Sequence, residues 1–281
     1  MELSDIDVNF NFLQDTPGYW DGFWENDPLL GRSKQDPDSK SPMLRKYHQL
    51  LWSKKLPNGE VMSLEDGKSN FYLRWHDHYF GSDSIIVSFR YKRRTEFMKK
   101  LRNYLPDYKG FVESYLNSAS SIGGYMLFPA FGGGMNQSRG TSKAICDRWD
   151  LTLECIRRYY NGEWSPLEKC MNEPRNRWFF DLFVDFKGFV DFFFLQDCVN
   201  KDYSCVNIWY WPTERTGTLF DDTITPSYDF SIKDPIPDTI DSYLSFIEKE
   251  LDFMRKRNQR IKQYLCLTTR LPVSMINYPM Q

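Results

Sequence analysis

The residues best suited to chemistry in this sequence cluster between positions 130 and 160. A polar, glycine-rich segment at 130–140 contains Asn136 and Arg139, and it follows an apolar run typical of a buried strand. Backbone N–H groups at the start of a helix offer a site for an anion, and an arginine there can pair with a phosphate. The glycine spacing matches neither a P-loop nor a dinucleotide-binding fingerprint. The alternative is that the glycines only turn the chain and Arg139 pairs with a local carboxylate.

A charged helix is predicted directly after this segment, at 141–160. Asp147, Arg148, Glu154 and Arg157 lie on its predicted outer face. Two acidic residues beside arginines could form a general acid and base, or hold a divalent metal, while the arginines bind phosphate. Acidic and basic residues three or four positions apart are also the ordinary ion pairs of an exposed helix. The pattern is compatible with both interpretations.

His48 is a third candidate, because it lies on a predicted short helix with Arg45 before it and Lys54 after it. A histidine among cations suits phosphodiester chemistry without a metal, with the imidazole as base and the cations stabilising developing charge. A histidine bonded to the backbone on a helix face is the alternative. The candidate catalytic residues are therefore His48, Asp147 and Glu154. The candidate ligand-binding residues are Arg45, Lys54, Asn136, Arg139, Arg148 and Arg157.

Metal and cofactor sites are not predicted. His76 and His78 would share one face of a strand at 71–80, a geometry that metals use, but no third ligand is close in the sequence. The six cysteines contain no Cys-x-x-Cys pair. A basic stretch at 90–109, interleaved with aromatic residues, suits single-stranded nucleic acid or an amphipathic helix with a solvated basic face.

Composition narrows the class of protein. The net charge of −2 provides no overall basic field that would attract DNA or an anionic membrane. The most apolar stretch, at 178–195, contains four charged residues, which argues against a membrane span. The N-terminus shows no secretory signal, and unpaired cysteines suit a reducing compartment. We expect a cytoplasmic protein that is not bound to a membrane.

The predicted fold class is α+β, as a single compact domain with a short sheet packed by helices. Aromatic residues make up 17% of the chain, so the core should be rich in rings. The segment at 178–199 is apolar on every side, which predicts a central buried helix. We expect an irregular N-terminal segment at 1–41 packed on the domain, the α+β domain at 42–264, and a C-terminal tail at 265–281.

Several motifs resemble a family of uncharacterised bacterial proteins, grouped only as a domain of unknown function. They include Asp-Pro-Asp-Ser at 36–39, Ser-Asp-Ser-Ile at 82–85 and Asp-Arg-Trp-Asp at 147–150. The resemblance extends over about residues 36–262, which fits a single domain. It implies no known activity, so it assigns no catalytic role to any residue.

Two hypotheses for function follow. In the first, the protein binds a phosphate-bearing ligand such as a nucleotide or RNA and could process it. Arg139, Arg148 and Glu154 should then converge in one concave pocket. In the second, it is a non-enzymatic interaction or inhibitor protein, of a toxin or phage-defence type. The tryptophan-rich N-terminal segment and the basic helix would then contact a protein partner.

Overall fold

The computed structural model describes residues 1–68, 72–86, 95–130, 134–212, 227–232 and 234–268. Their helices and strands form an α+β fold, which confirms the predicted class. The helices within these ranges are α1 (Phe23–Asn26), α2 (Pro37–Lys40), α3 (Pro42–Trp52), α4 (Thr95–Tyr104), α5 (Tyr108–Ala119), α6 (Met135–Thr141), α7 (Trp149–Tyr160), α8 (Glu168–Asn172), α9 (Pro174–Asp181), α10 (Phe186–Phe192) and α11 (Ile240–Thr268). The strands are β1 (Glu65–Asp66), β2 (Tyr72–Trp75), β3 (His78–Ser84) and β4 (Tyr125–Pro129).

The sheet is antiparallel, in the order β1-β2-β3-β4. The single strand predicted at 71–80 is wrong, because the chain reverses at His76, whose φ is +51°. His76 therefore lies in a turn, while His78 begins β3 and stacks on Trp178 at 3.6 Å between ring centroids. Strand β4 is buried along its whole length and pairs with β3, so that Ser84 lies opposite Tyr125.

The aromatic-rich segment at 178–199 forms the buried centre of the molecule, but as two helices, α9 and α10. A single helix is ruled out by Val184, whose φ of +69° breaks the helical path. Phe183 and Phe189 form an edge-on pair at 5.2 Å across this break, and such pairs add about 0.5–1.5 kcal/mol to the burial of the rings. Gly188 is required here, because a Cβ would lie 2.1 Å from the carbonyl oxygen of Phe183.

The helix predicted at 141–160 begins only at Trp149, as α7, and the separate short helix α6 ends at Thr141. Cys146 and Asp147 lie between them with φ values of +49° and +64°, which an α-helix does not accept. Asn136 and Arg139 consequently belong to the short helix α6 rather than to a loop. Residues 131–133 of the glycine-rich segment lie outside the described residues.

The N-terminal segment packs its rings into the core. Phe12 is fully buried and contacts Tyr47 of α3 and Tyr125 of β4 edge-on, at 5.3 and 5.6 Å. The segment then leads through α2 into α3. There Ser41 caps α3, because its hydroxyl accepts the N–H of Leu44 at 3.0 Å.

The C-terminal part of the described chain begins with one isolated bridge, between Val199 and Val206. Helix α11 begins after Thr239, whose hydroxyl accepts the N–H of Ser242 at 3.1 Å, and it continues to Thr268. The first four residues of the predicted tail are thus helical, and residues 269–281 lie outside the described part of the chain.

Candidate functional site

A cavity of about 740 Å³ lies where the N-terminal segment crosses the sheet and α6. Its lining comes from five parts of the chain: the segment at 13–38, the end of β3, the end of α5 with the start of β4, the start of α6, and the loop before α7. Ligand pockets in proteins commonly have this volume. The cavity is therefore the candidate functional site.

The charged lining of the cavity has two parts. Arg32 and Lys34, both exposed, form no ion pair with any residue that the structure describes. The remaining charged side chains are carboxylates from α2 and its cap, from β3 and from the loop before α7. They are Asp36, Asp38, Asp83 and Asp147.

Arg139 holds two of these carboxylates from behind the cavity wall. Its guanidinium is fully buried and pairs with Asp83 at 2.5 Å and with Asp147 at 3.3 Å. It also donates to the hydroxyl of Thr152 on α7 at 3.0 Å. Arg139 thereby connects β3, α6 and α7. Arg139 thus pairs with the nearby Asp147 and, at a shorter distance, with Asp83, which lies 56 positions earlier in the chain.

Asp38 is tied to the core by a chain of hydrogen bonds that runs in one direction. The indole N–H of Trp52 donates to Nδ1 of His48 at 2.8 Å. Because an indole only donates, Nδ1 is the acceptor, and the proton of a neutral imidazole is therefore on Nε2. Nε2 lies 3.0 Å from the hydroxyl of Ser82, which in turn donates to Oδ1 of Asp38. The N–H of Ser84 contacts Oδ2 of Asp38 at 3.2 Å.

The environment shifts the protonation of these groups. Burial raises the pKa of Asp38 well above its ordinary value, and the neighbouring carboxylates of Asp36 and Asp83 raise it further. Burial also raises the pKa of Asp83 to about 6, although Arg139 acts in the opposite direction. Burial and the charge of Arg257 lower the pKa of His48 to about 3, so the imidazole is neutral near pH 7.

Arg148 lies away from this cavity. Its guanidinium is fully buried, pairs with Asp150 and donates to the carbonyl oxygens of Pro235 and Tyr210. The ring of Phe246 lies 5.3 Å from it. The expectation that Arg148 is open to a phosphate is corrected, because these contacts occupy its donors.

Glu154 and Arg157 form a second buried ion-pair group on α7. Glu154 accepts from Nε of Arg157 and from Nε of Arg158, both at 2.8 Å. Arg157 also pairs with Glu163 at 3.0 Å. Neither Glu154 nor Arg157 lines the cavity, so the expectation that Arg139, Arg148 and Glu154 meet in one pocket is wrong.

Arg45 and Lys54, at the start and just past the end of α3, point to different surroundings. Arg45 forms a partly exposed ion pair with Asp66 at 3.3 Å. The ammonium of Lys54 donates to the carbonyl oxygen of Phe192 at 2.8 Å and lies 4.1 Å from the ring centre of Phe194. Of the predicted site residues, Asn136 and Asp147 line the cavity, Arg139 supports it and His48 reaches it through Ser82.

Sequence reasoning missed Arg32, Lys34, Asp38, Ser82 and Asp83 as site residues. A signal was present for some of them, because Asp38, Ser82 and Asp83 lie in two of the motifs that carry the family resemblance. Those motifs are 43 or more positions apart in the sequence. Nothing local indicated that they meet.

The described ranges contain no group of three or more His, Cys, Asp or Glu side chains arranged to hold a metal ion. No described helix combines the length and the apolar character needed to cross a membrane.

The family assignment agrees with the sequence resemblance. The model of a family of unknown function (DUF6994) matches residues 6–261, and the chain belongs to this family. The match includes the N-terminal segment that forms part of the cavity. No curated protein and no solved structure matches the chain.

Proposed function

We propose that the cavity binds a small phosphate-bearing ligand that also carries hydroxyl or amino groups, such as a nucleotide. The observation that carries this proposal is the mixed charge of the lining. Two cations without ion-pair partners among the described residues and four carboxylates share one space of about 740 Å³. A ligand with an anionic end and a hydrogen-bond-donating end complements both.

The phosphate would bind at Arg32 and Lys34. Both residues are exposed and line the cavity, whereas Ser33 between them is buried. A guanidinium recognises phosphate through paired N–H groups, and an ammonium adds a point charge. These two residues therefore replace Arg148 and Arg157 as the phosphate-binding cations of the proposal.

The other end of the ligand would face the carboxylates. Ionised carboxylates accept hydrogen bonds from hydroxyl and amino groups, which sugars and bases supply. The rings of Tyr19 and Phe23 and the side chain of Leu30 add an apolar part to the lining, and a ligand's ring could pack there. A nucleotide provides all three features.

RNA is a weaker candidate than a small nucleotide. RNA binding depends on a positive surface that follows many phosphates. The cavity instead has more carboxylates than cations in its lining. A single phosphate group can contact Arg32 and Lys34, whereas a continuing backbone would be repelled by the aspartates.

Calorimetric titration at low salt tests the proposal, with AMP, adenosine and inorganic phosphate as probes. We expect AMP to bind more tightly than either fragment. The double substitution Arg32→Ala and Lys34→Ala should weaken AMP binding about tenfold or more, since two phosphate contacts are lost. Lys99→Ala with Lys100→Ala, two exposed residues of α4, removes the same charge and should leave the affinity unchanged. Absence of AMP binding at low salt would refute the proposal.

The second hypothesis, a non-enzymatic interaction or inhibitor protein of a toxin or phage-defence type, stays a prediction. Of the two tryptophans in the N-terminal segment, Trp20 is exposed, whereas Trp24 is half-buried and donates to Glu113 at 2.6 Å. The basic stretch is described only from Thr95, and there Lys99 pairs with Glu96 at 2.7 Å. A cytoplasmic location is also proposed, because all six cysteines are free thiols and three of them are buried.

A further inference from the structure

We propose that Asp38 transfers a proton to the ligand of this cavity, so that the protein is a hydrolase of a phosphate-bearing substrate. Asp83 is the ionised partner carboxylate, and Ser82 and His48 are positioning residues. This inference rests on the proposed function, because it assigns a reaction to the ligand that the cavity binds.

The first argument is the direction of the hydrogen-bond chain. Trp52 fixes the tautomer of His48, and the N–H at Nε2 then donates to Ser82. The one hydroxyl proton of Ser82 is consequently directed at Asp38. Each donor in the chain has an acceptor, and a fully satisfied buried network holds its members in one geometry. The chain leads to a carboxyl group that lines the cavity.

The carboxyl group of Asp38 is held in one orientation by hydrogen bonds that do not use its full capacity to accept them. One carboxyl oxygen accepts from Ser82 and the other from the backbone N–H of Ser84. Each carboxylate oxygen can accept two hydrogen bonds. Both oxygens therefore keep capacity for a substrate atom or a proton, while strand β3 holds the group in one orientation.

The carboxyl groups of Asp38 and Asp83 have different charged neighbours. Asp83 has Arg139 in direct contact, whereas Asp38 forms no ion pair within the described ranges. The charged groups that act on Asp38 are two carboxylates, Asp36 at the N-cap of α2 and Asp83 on β3. The hydroxyl of Tyr125 on β4 is also close enough to interact electrostatically with Asp38. Arg32 and Lys34 share the lining. Asp38 thus favours its protonated form, as the raised pKa also indicates, and Asp83 is ionised above pH 6. Paired carboxyls whose environments separate their pKa values commonly divide into acid and base.

The reaction adds one water across a bond of the substrate. Protonated Asp38 gives its proton to the leaving oxygen or nitrogen as the bond to that atom breaks. The oxygen of a water molecule forms the new bond, and Asp83 accepts the proton that this water loses. Exchange with solvent then returns a proton to Asp38 and removes one from Asp83. No oxidant or reductant is involved.

The test measures hydrolysis and binding separately, with AMP, ADP, ATP and ribose 5-phosphate as probes. Phosphorus and proton NMR report cleavage of a phosphoester or glycosidic bond, and calorimetry reports the dissociation constant. Asp38→Asn should lower kcat about 100-fold or more, the contribution typical of a general acid, with the dissociation constant changed less than threefold. Ser39→Ala is the control, because among the described residues the Ser39 hydroxyl donates to the backbone carbonyl oxygen of Asp36 alone. It should leave both kcat and the dissociation constant unchanged.

Ser82→Ala distinguishes a positioning role from a merely structural one. The hydrogen bond from Ser82 lowers the pKa of Asp38, so its loss should raise that pKa further. The rate depends on protonated Asp38 and falls as pH rises through its pKa. The alkaline limb of the kcat profile should therefore move to higher pH in Ser82→Ala, and an unmoved limb would contradict the role of Ser82. Nitrogen NMR should show the His48 proton on Nε2.

The outcomes separate the two proposals. Binding of a probe without hydrolysis of any of them overturns the catalytic inference and leaves the binding proposal intact. Absence of binding overturns both. Hydrolysis that persists in Asp38→Asn at more than a third of the wild-type kcat removes Asp38 from the reaction. If Asp38→Asn does not fold, Asp38→Glu keeps a carboxyl group but displaces it from Ser82, and it should bind AMP normally with a lower kcat.

Discussion

Arg139 of α6 and Asp83 of β3 form a buried ion pair, with 2.5 Å between Nη1 and Oδ2. The two residues are 56 positions apart in the sequence, and their side chains are 0% and 6% exposed. The pair fixes one wall of the cavity, because the same guanidinium also contacts Asp147. Loss of the ion pair should therefore change the free energy of unfolding.

Arg139→Met should lower the free energy of unfolding by about 3–5 kcal/mol at pH 8, because it leaves Asp83 as a buried charge without its partner. The loss should be smaller at pH 5, where Asp83 can be neutralised by protonation. Urea denaturation at the two pH values measures both effects. Lys99→Met, which removes an exposed ion pair with Glu96, serves as the control and should cost less than about 1 kcal/mol. Equal losses in the two variants would contradict the assigned role.

Glu154→Gln should destabilise the protein strongly, because its carboxylate forms ion pairs with both Arg157 and Arg158 in a buried position. We expect a loss of about 2–4 kcal/mol in the free energy of unfolding, measured by urea denaturation. Asp252→Asn is the matched control, since Asp252 also contacts two cations, Arg255 and Lys256, but on an exposed face of α11. Its loss should stay within about 0.5 kcal/mol. The prediction fails if the two substitutions have similar effects.

The buried histidine predicts a specific dependence of stability on pH. In the folded protein His48 binds a proton only near pH 3, whereas in the unfolded chain it does so near pH 6.5. Protons therefore favour unfolding below pH 6.5, and the stability that neutral His48 permits is lost as pH falls toward 3. Wild type should lose up to about 1.4 kcal/mol per pH unit relative to His48→Gln in that window. Urea denaturation from pH 7.5 to 4 measures the difference, and a constant difference would refute the buried neutral state.

Gly31→Ala should disturb the wall of the cavity. Gly31 has a φ of +64°, and a Cβ there would lie 2.0 Å from the buried ring of Phe23. We expect a loss of about 2–4 kcal/mol from the backbone strain and the displaced ring, together with weaker AMP binding. Gly140→Ala, in α6 with nothing within 4 Å of the added Cβ, should instead stabilise the protein by about 0.4–1 kcal/mol. Thermal denaturation compares the two, and a tolerated Gly31→Ala would show that the ring is free to move.

The sequence by itself determined the features that depend on neighbouring residues. Ser41 and Pro42 specify the start of α3, because a side-chain oxygen and a ring-fixed φ act within one helical turn. The high aromatic content of the chain and of the segment at 178–199 determined a ring-rich core within an α+β fold. The family motifs likewise identified the family.

Only the tertiary structure decided where the site lies and which charged residues belong to it. The cavity lining comes from separate parts of the chain, and the contact of Arg139 with Asp83 bridges 56 positions. Charge patterns on a helix could not show that Arg148 and Glu154 are neutralised inside the core. The periodicity of apolar residues could not show the helix breaks at Val184 and Asp147. The positive φ of these two residues is imposed by tertiary packing and does not follow from the residue type. Burial and pairing depend on contacts that form only when distant segments meet.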